Sequence, residues 1–154
     1  MTWQTAAVEL GLCGWVIVML VSDLALGPAQ KRHLWKLAAG GIVVLAGLLL
    51  WQQPWVGQSF DPMFTLDRFA QTFKGLFLLT ALVVILMTSV PAHQVTAHVG
   101  EFYLLIFSAL LGMLVLASVH DLLLLFIGLE LLTFSLYVMA AYLKTDARSI
   151  EAGL

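Results

Sequence analysis

Long apolar runs separated by short polar segments dominate the chain. Five runs can be drawn, at 6–26, 34–51, 69–90, 102–118 and 122–142. Each is close to the ~17–25 residues that a helix needs to cross the hydrocarbon core of a bilayer. The runs are continuous and rich in leucine, whereas the strands of a membrane barrel alternate apolar and polar residues. The pattern therefore predicts an all-α membrane protein with about five transmembrane helices in a single domain.

Turn-forming residues separate the runs. Gly27 and Pro28 end the first run, and Pro91 follows the third. Residues 52–68 form the longest predicted loop. The connection from Val119 to Asp121 is so short that the fourth and fifth helices should be antiparallel neighbours, with Asp121 as the N-cap of the fifth. Ser108 and Gly112 have a spacing that permits close helix approach, but small residues are common in such helices and we interpret the spacing as incidental.

Composition agrees with this pattern. Hydrophobic residues make up 62% of the chain and charged residues 10%, with a mean hydropathy of +1.01, against about 25% charged residues in soluble domains. The net charge of −2 does not indicate a general attraction to nucleic acid. Cys13 is the single cysteine, so this chain alone supplies neither an internal disulfide nor the ligands of an iron–sulfur cluster.

Basic residues predict the orientation in the membrane, because they are enriched on the cytoplasmic side. Two of them, Arg68 and Lys74, border the long loop, with Asp61 and Asp67 nearby. The other basic residues lie on the opposite side, after the first and fifth runs: Lys31, Arg32, Lys36, Lys144 and Arg148. The asymmetry places the N-terminus outside.

Glu130 is the one carboxylate inside the fifth run. It follows Asp121 by nine positions, which corresponds to about 13 Å of helix and places it near the middle of a bilayer core of roughly 30 Å. An ionisable residue at that depth is costly and indicates a functional site, such as a proton relay or an ion pair. The alternative is a protonated side chain that only hydrogen-bonds a neighbouring helix. No basic residue of the chain lies at the same depth, so a partner must come from elsewhere.

The other ionisable residues in the runs have simpler interpretations. Glu9 and Asp23, near the two ends of the first run, are interpreted as interfacial anchors, Asp23 next to Lys31 and Arg32. The long stem of Lys74 can carry its ammonium group to the outer surface, although a relay role stays open. The histidines lack the spacing and the companion ligands of a metal site: His33, His93, His98 and His120. No metal is therefore expected, while His120 could instead take part in proton entry.

Four short motifs resemble subunit N of bacterial respiratory complex I, the NADH-quinone oxidoreductase, whose mitochondrial and plastid counterparts are called subunit 2. They are EFYLL at 101–105, GLELL at 128–132, SLY at 135–137 and RSIEA at 148–152. The segment that holds them covers about a third of the chain. The first hundred residues match the family only in hydropathy and in the number of helices.

The resemblance implies an antiporter-like membrane subunit of about fourteen helices, built from inverted repeats. Such a subunit holds no flavin, iron–sulfur cluster or quinone. The redox reaction of the enzyme takes place in other subunits of the complex and drives protons through the membrane. The resemblance gives Glu130 the main role in proton translocation, paired with a lysine of a later helix, and it matches Glu101, Arg148 and Glu151 to further family motifs. It implies other complex I membrane subunits as partners, in a bacterial inner membrane or an organelle membrane.

The central lysines of the family would lie beyond residue 154. The chain is therefore expected to be truncated before a sixth helix that begins near Ile150, and not to pump protons by itself. Two other functions stay open. One is a subunit of a multi-subunit sodium/proton antiporter, which shares the GLE pattern and transports without redox coupling. The other is a structural membrane scaffold in which Glu130 is protonated and idle.

Overall fold

The computed structural model describes residues 3–27, 31, 33–56, 58–61, 64–88, 99–142, 149 and 151. Five helices dominate this part of the chain: α1 (Ala7–Ala25), α2 (Leu34–Trp51), α3 (Arg68–Thr88), α4 (Val99–Ser118) and α5 (Leu122–Ala140). All five are long and apolar enough to cross a membrane, which confirms the predicted all-α membrane class. The bounds of α2 equal the predicted ones, and the other helices begin and end within about three residues of prediction.

Aspartate side chains fix the beginnings of two helices. Asp121 precedes α5, and its Oδ1 accepts hydrogen bonds from the backbone N–H groups of Leu123 (2.8 Å) and Leu124 (3.1 Å). The predicted N-cap is therefore confirmed. Asp67 does the same for α3, because its Oδ1 accepts a hydrogen bond of 2.6 Å from the N–H of Ala70. These bonds satisfy donors that the first turn of a helix otherwise leaves free.

The loop predicted at 52–68 contains a small antiparallel hairpin, which the sequence did not predict. Strand β1 (Gln58–Asp61) pairs with strand β2 (Phe64–Leu66). Phe64 also forms a bridge with Val119, between α4 and α5. Phe64 and Leu66 are buried whereas Thr65 between them is half-buried, so β2 lays alternate side chains against the bundle, as strand geometry requires.

Helices α1 to α4 form a four-helix bundle, since each packs on the next and α4 packs back on α1. Neighbouring helices run antiparallel, so α1, α3 and α5 begin at the end of the bundle that carries the hairpin, called here the hairpin end. The opposite end, where α1 finishes, is called the Asp23 end. Buried apolar side chains from all four helices fill the centre, among them Leu12, Met19, Ile42, Leu45, Leu78, Ile85, Phe107 and Leu110.

Helix α5 lies outside this bundle and packs against α4. A Cβ atom at Gly112 of α4 would lie 2.8 Å from the carbonyl oxygen of Gly128 and 3.0 Å from the backbone nitrogen of Leu132. The two backbones therefore touch, which only glycine at position 112 permits. Interpreting Gly112 as incidental was wrong. At the Asp23 end, the rings of Phe102 and Tyr142 stack edge to face at 5.4 Å, so the predicted antiparallel pairing of these helices is confirmed.

Candidate functional site

Glu130 lies in the middle of α5. It is about 12 Å along the helix axis from Leu122 and about 15 Å from Ala140 at 1.5 Å per residue. Its side chain is exposed on the described part of the chain. Glu130 lies about 200° around the helix from Gly128, at 100° per residue, and Gly128 is the contact with α4. The packing of α4 on α5 therefore turns the carboxylate away from the bundle.

Apolar side chains surround Glu130 on this exposed face. Those in the turns before and after it include Leu123, Phe126, Phe134 and Tyr137, each more than half exposed. Among the described residues no cationic side chain pairs with the carboxylate. A carboxylate in an apolar helix face has to meet a cation, a hydrogen-bond donor or water in the membrane. That a cation from elsewhere pairs with Glu130 stays a prediction.

The structure places a second carboxylate against a lysine inside the four-helix bundle. Lys74 Nζ of α3 lies 2.6 Å from Glu9 Oε1 of α1. The Lys74 side chain is 0% exposed and that of Glu9 is 10% exposed. The ring of Phe64 in the hairpin covers the ammonium group at 5.1 Å from the ring centroid. The interpretation of Glu9 as an interfacial anchor, and of Lys74 as reaching the surface, was wrong because each side chain lies on the core face of its helix.

The Glu9–Lys74 pair could have been predicted from the positions of the two residues within their helices, which a hydropathy profile does not consider. Glu9 lies about 8 Å along the helix from Gln4, where the first apolar helix begins at the hairpin end, and Lys74 about 9 Å from Arg68. Both helices start at the same end, so the opposite charges have the same depth. Lys74 also falls on the buried stripe of α3, between Gln71 and Leu78. Equal depth and a shared core face together predict the pair.

Asp23 forms the interfacial contact expected of it. Its Oδ1 lies 2.8 Å from Lys31 Nζ, with both side chains about one-fifth exposed. Asp23 packs directly against Gly100 in the first turn of α4, where a Cβ atom would collide with the carboxylate. The ion pair therefore joins the loop after α1 to the last turns of α1, beside the start of α4. Arg32, the other predicted neighbour of Asp23, lies outside the described residues.

Glu101 lies beside the same end of the bundle. It is exposed, and it lines a cavity of about 410 Å³ together with Ser108 and Tyr142. Burial, followed by the negative charges of Glu101 and Asp23, raises the pKa of Tyr142 to about 12. Tyr142 therefore stays a neutral phenol next to two carboxylates. Glu101 stands in the first turn of α4, whereas Glu130 lies mid-helix, so the two carboxylates occupy different depths.

Among the described residues, none of the remaining predicted site residues forms a hydrogen bond or an ion pair with Glu130. Glu151 is helical and exposed. Arg148, His93 and His98 lie outside the described residues. His120 contacts the hairpin, since its Nδ1 lies 2.9 Å from Thr65 Oγ1. Within the described residues, no group of three or more histidine, cysteine, aspartate or glutamate side chains could hold a metal ion.

The fold is that of a polytopic helical membrane protein with charged side chains inside its apolar helices. In such proteins, ionisable groups within the membrane are typical of ion and proton pathways. No family model matches the chain. The chain is similar to the NAD(P)H-quinone oxidoreductase subunit 2 of Synechococcus sp. (strain JA-3-3Ab), with 37% identity over 154 residues, 99% of this chain and 28% of the relative.

Two further relatives carry the name NADH-quinone oxidoreductase subunit N. That of Anoxybacillus flavithermus is 36% identical over 156 residues, covering 99% of this chain and 31% of the relative. That of Desulfitobacterium hafniense is 45% identical over 92 residues, 60% of this chain and 18% of the relative. The chain thus spans less than a third of the length of these relatives. The chain is similar to part of subunit N (subunit 2) of NADH-quinone oxidoreductase, which confirms the predicted resemblance.

Proposed function

We propose that this chain is part of a membrane subunit of an NADH-quinone oxidoreductase and takes part in proton translocation coupled to quinone reduction. The observation that carries the proposal is the position of Glu130, in the middle of an apolar helix on the face that α4 leaves uncovered. The names of the relatives, NAD(P)H-quinone oxidoreductase subunit 2 and NADH-quinone oxidoreductase subunit N, support the redox-coupled enzyme over a separate sodium/proton antiporter. A scaffold would not need an ionisable group at this depth.

In this proposal Glu130 acts through a cation supplied by the rest of the subunit. An ionised carboxylate favours the charged form of a neighbouring lysine, and the lysine releases its proton when that influence is withdrawn. Glu130 is therefore the main translocation residue. Glu101, Arg148 and Glu151 are proposed as further members of the pathway. Flavin, iron–sulfur clusters and quinone belong to other subunits of the complex, which are also the partners of this chain.

The proposed location is a bacterial inner membrane with the N-terminus outside. The hairpin end then faces the outer aqueous phase, and the Asp23 end, with Lys31 and Lys36, faces the cytoplasm. Cysteine labelling from each side of sealed vesicles tests this orientation. The thiol of a Thr65→Cys variant in the hairpin should react from outside only.

The experiment that tests the function is Glu130→Gln in the full-length subunit within its complex. We expect proton translocation per assembled complex to fall, because glutamine keeps the shape and hydrogen bonding of the side chain but cannot ionise. Glu130→Asp, which keeps the charge, should retain more translocation than Glu130→Gln. Full NADH:quinone turnover and unchanged proton-to-electron stoichiometry in Glu130→Gln would favour the scaffold and contradict the proposal.

A further inference from the structure

The Glu9–Lys74 pair lies in the core of the four-helix bundle, near the hairpin end, and has hydrogen-bonding capacity beyond its own contact. It crosses from α1 to α3, which lie diagonally opposite each other in the bundle. Glu9 Oε2 is buried and accepts no hydrogen bond from the described part of the chain. A buried acceptor without a protein partner usually binds water. The Glu9 carboxylate can therefore accept a further hydrogen bond inside the bundle.

Polar side chains continue from this pair towards the hairpin end. Gln71 lies one turn before Lys74 on the buried stripe of α3, and its Nε2 donates a hydrogen bond of 2.9 Å to the carbonyl oxygen of Leu49. Gln52, one turn beyond Leu49, donates likewise to the carbonyl oxygen of Gln4 at 2.5 Å. Both amide oxygens are buried and accept nothing from the described residues. Gln52 and Gln71 therefore join the ends of α1, α2 and α3 in a polar seam, in which the two amide oxygens can accept further hydrogen bonds.

A cavity of about 560 Å³ opens next to this seam. Gln71 forms part of its wall, together with Arg68 at the first position of α3 and Gly75 one turn further in. One water takes about 30 Å³ of liquid volume, so the cavity has room for several. It leads from the charged start of α3 to the side chain that precedes Lys74 on the buried stripe. A polar cavity of this size beside unfilled acceptors is a site where water is stable.

We propose that Glu9 and Lys74 form a hydrated proton-exchanging site that is reached from the aqueous phase at the hairpin end through this cavity and the Gln71 side chain. A proton from water adds to the Glu9 carboxylate, and the Lys74 ammonium gives one of its protons to the next water. Transfer of the proton from Glu9 to Lys74 Nζ then restores the ion pair. One proton has entered and one has left, and the net charge of the pair is unchanged.

This site differs from Glu130 in its helices and in its environment. Glu130 lies on the exposed face of α5, whereas Glu9 and Lys74 lie in the bundle core. The described groups around the pair are the ring of Phe64 above the ammonium and Gln71 beside it, with Arg68 at the mouth of the cavity. Its part in translocation rests on the proposed function, but its hydration does not. The two claims are therefore tested separately.

Hydration is tested by cysteine labelling in the full-length subunit within its complex, after Cys13→Ala removes the native thiol of this chain. Gly75→Cys places a thiol in the cavity wall, where the nearest atom to a new Cβ, Leu49 Cδ2, is an ordinary 3.6 Å away. Leu76→Cys is the matched control, because it lies one residue deeper on the exposed apolar face of α3. The probe is a membrane-impermeant cationic methanethiosulfonate, applied to sealed vesicles of both orientations.

We expect Gly75→Cys to react at least about tenfold faster than Leu76→Cys, because the thiolate that reacts forms only where water reaches it. The reaction should occur from the hairpin end only. Equal rates at the two positions, or reaction from the Asp23 end, would overturn the water route. The labelling result does not depend on redox coupling, so its outcome is independent of the Glu130→Gln experiment.

Proton exchange is tested with the double variant Glu9→Gln/Lys74→Met. The double variant leaves no unpaired buried charge, so the complex should assemble. A merely structural pair predicts normal proton translocation per assembled complex, whereas the proposed site predicts a loss of at least half. The exchanged variant Glu9→Lys/Lys74→Glu restores both charges and should recover translocation above the level of the double variant. Normal proton translocation in Glu9→Gln/Lys74→Met, together with fast labelling of Gly75→Cys, would show that the ion pair is hydrated but transfers no protons. That result would overturn the proposed proton-exchanging site.

Discussion

Gly112 and Gly128 meet where α4 crosses α5, and this contact decides which way Glu130 faces. A Cβ atom at Gly112 would stand 2.8 Å from the Gly128 carbonyl oxygen. Because the backbones touch on this side, the opposite side of α5 carries Glu130 and is exposed. The direction of a carboxylate in one helix is therefore set by a missing side chain in its neighbour.

This crossing predicts opposite effects for two helical glycines. Gly112→Ala should lower the free energy of unfolding by about 1–3 kcal/mol, because the new methyl group forces the two backbones apart. Gly47→Ala in α2 is the control, since a Cβ atom there has nothing within 4 Å. Its effect should be neutral or a gain of up to about 1 kcal/mol from the higher helix propensity of alanine. Thermal unfolding in detergent measures both, and equal effects would contradict the crossing.

The buried ion pair predicts strong non-additivity. Lys74→Met alone leaves the Glu9 carboxylate buried and unpaired, and should cost about 3–5 kcal/mol of stability. Adding Glu9→Gln removes that charge, so the double variant should be more stable than Lys74→Met. A double-mutant cycle on the free energy of unfolding measures the coupling. Additive losses would show that the two side chains do not depend on each other.

The N-cap of α5 predicts a local effect on stability. Asp121→Ala removes the acceptor of two backbone N–H groups and should cost about 1 kcal/mol. Asp121→Asn keeps a side-chain oxygen in the same place and should cost less. Thermal unfolding of the two variants distinguishes capping from a general effect of the negative charge, which would make the two losses equal.

The raised pKa of Tyr142 predicts that the stability of the fold decreases at alkaline pH. Its pKa is raised from 10.0 to about 12 by burial and by the charges of Glu101 and Asp23. Between these values the unfolded chain releases the phenolic proton while the folded chain keeps it. The stability contributed by neutral Tyr142 is therefore complete below pH 10 and is lost as the pH rises towards about 12. Tyr142→Phe should remove this part of the alkaline loss.

Phenolate absorption checks this assignment directly. The difference between the titrations of the wild type and Tyr142→Phe isolates the one tyrosine. Glu101→Gln should lower the pKa of Tyr142, because it removes a negative charge that disfavours the phenolate. A Tyr142 that titrates at its ordinary value in the wild type would contradict the buried, acidic environment.

Much of the fold follows from the sequence. Residues 34–51 form α2 as predicted, because a continuous apolar run bounded by polar segments leaves the backbone one way to satisfy its hydrogen bonds in a membrane. Asp121 caps α5 for an equally local reason. The motif GLELL at 128–132 also indicated a resemblance to subunit N, and the similarity to the relatives confirms that resemblance. The site roles of Glu130 and of the other candidate residues stay predictions.

Other features depend on contacts between distant residues. The hairpin at 58–66 forms because Phe64 and Leu66 pack against the bundle, and its strands of four and three residues are too short to show a clear periodicity in the sequence. Hydropathy does not say which helices face each other, so it could not distinguish a lysine that reaches the surface from one that pairs in the core. The close approach at Gly112 likewise depends on the helix that lies opposite.

The sequence by itself determined that about five segments are long and apolar enough to cross a membrane and that one carboxylate lies midway along the fifth, because length and hydropathy act along a single helix. The tertiary structure decided that Glu9 and Lys74 neutralise each other within the bundle and that Glu130 remains outside it. Both outcomes depend on the angle at which each helix presents its faces. That angle is set by packing between helices, through the glycine contact of α4 with α5 and the core stripe of α3.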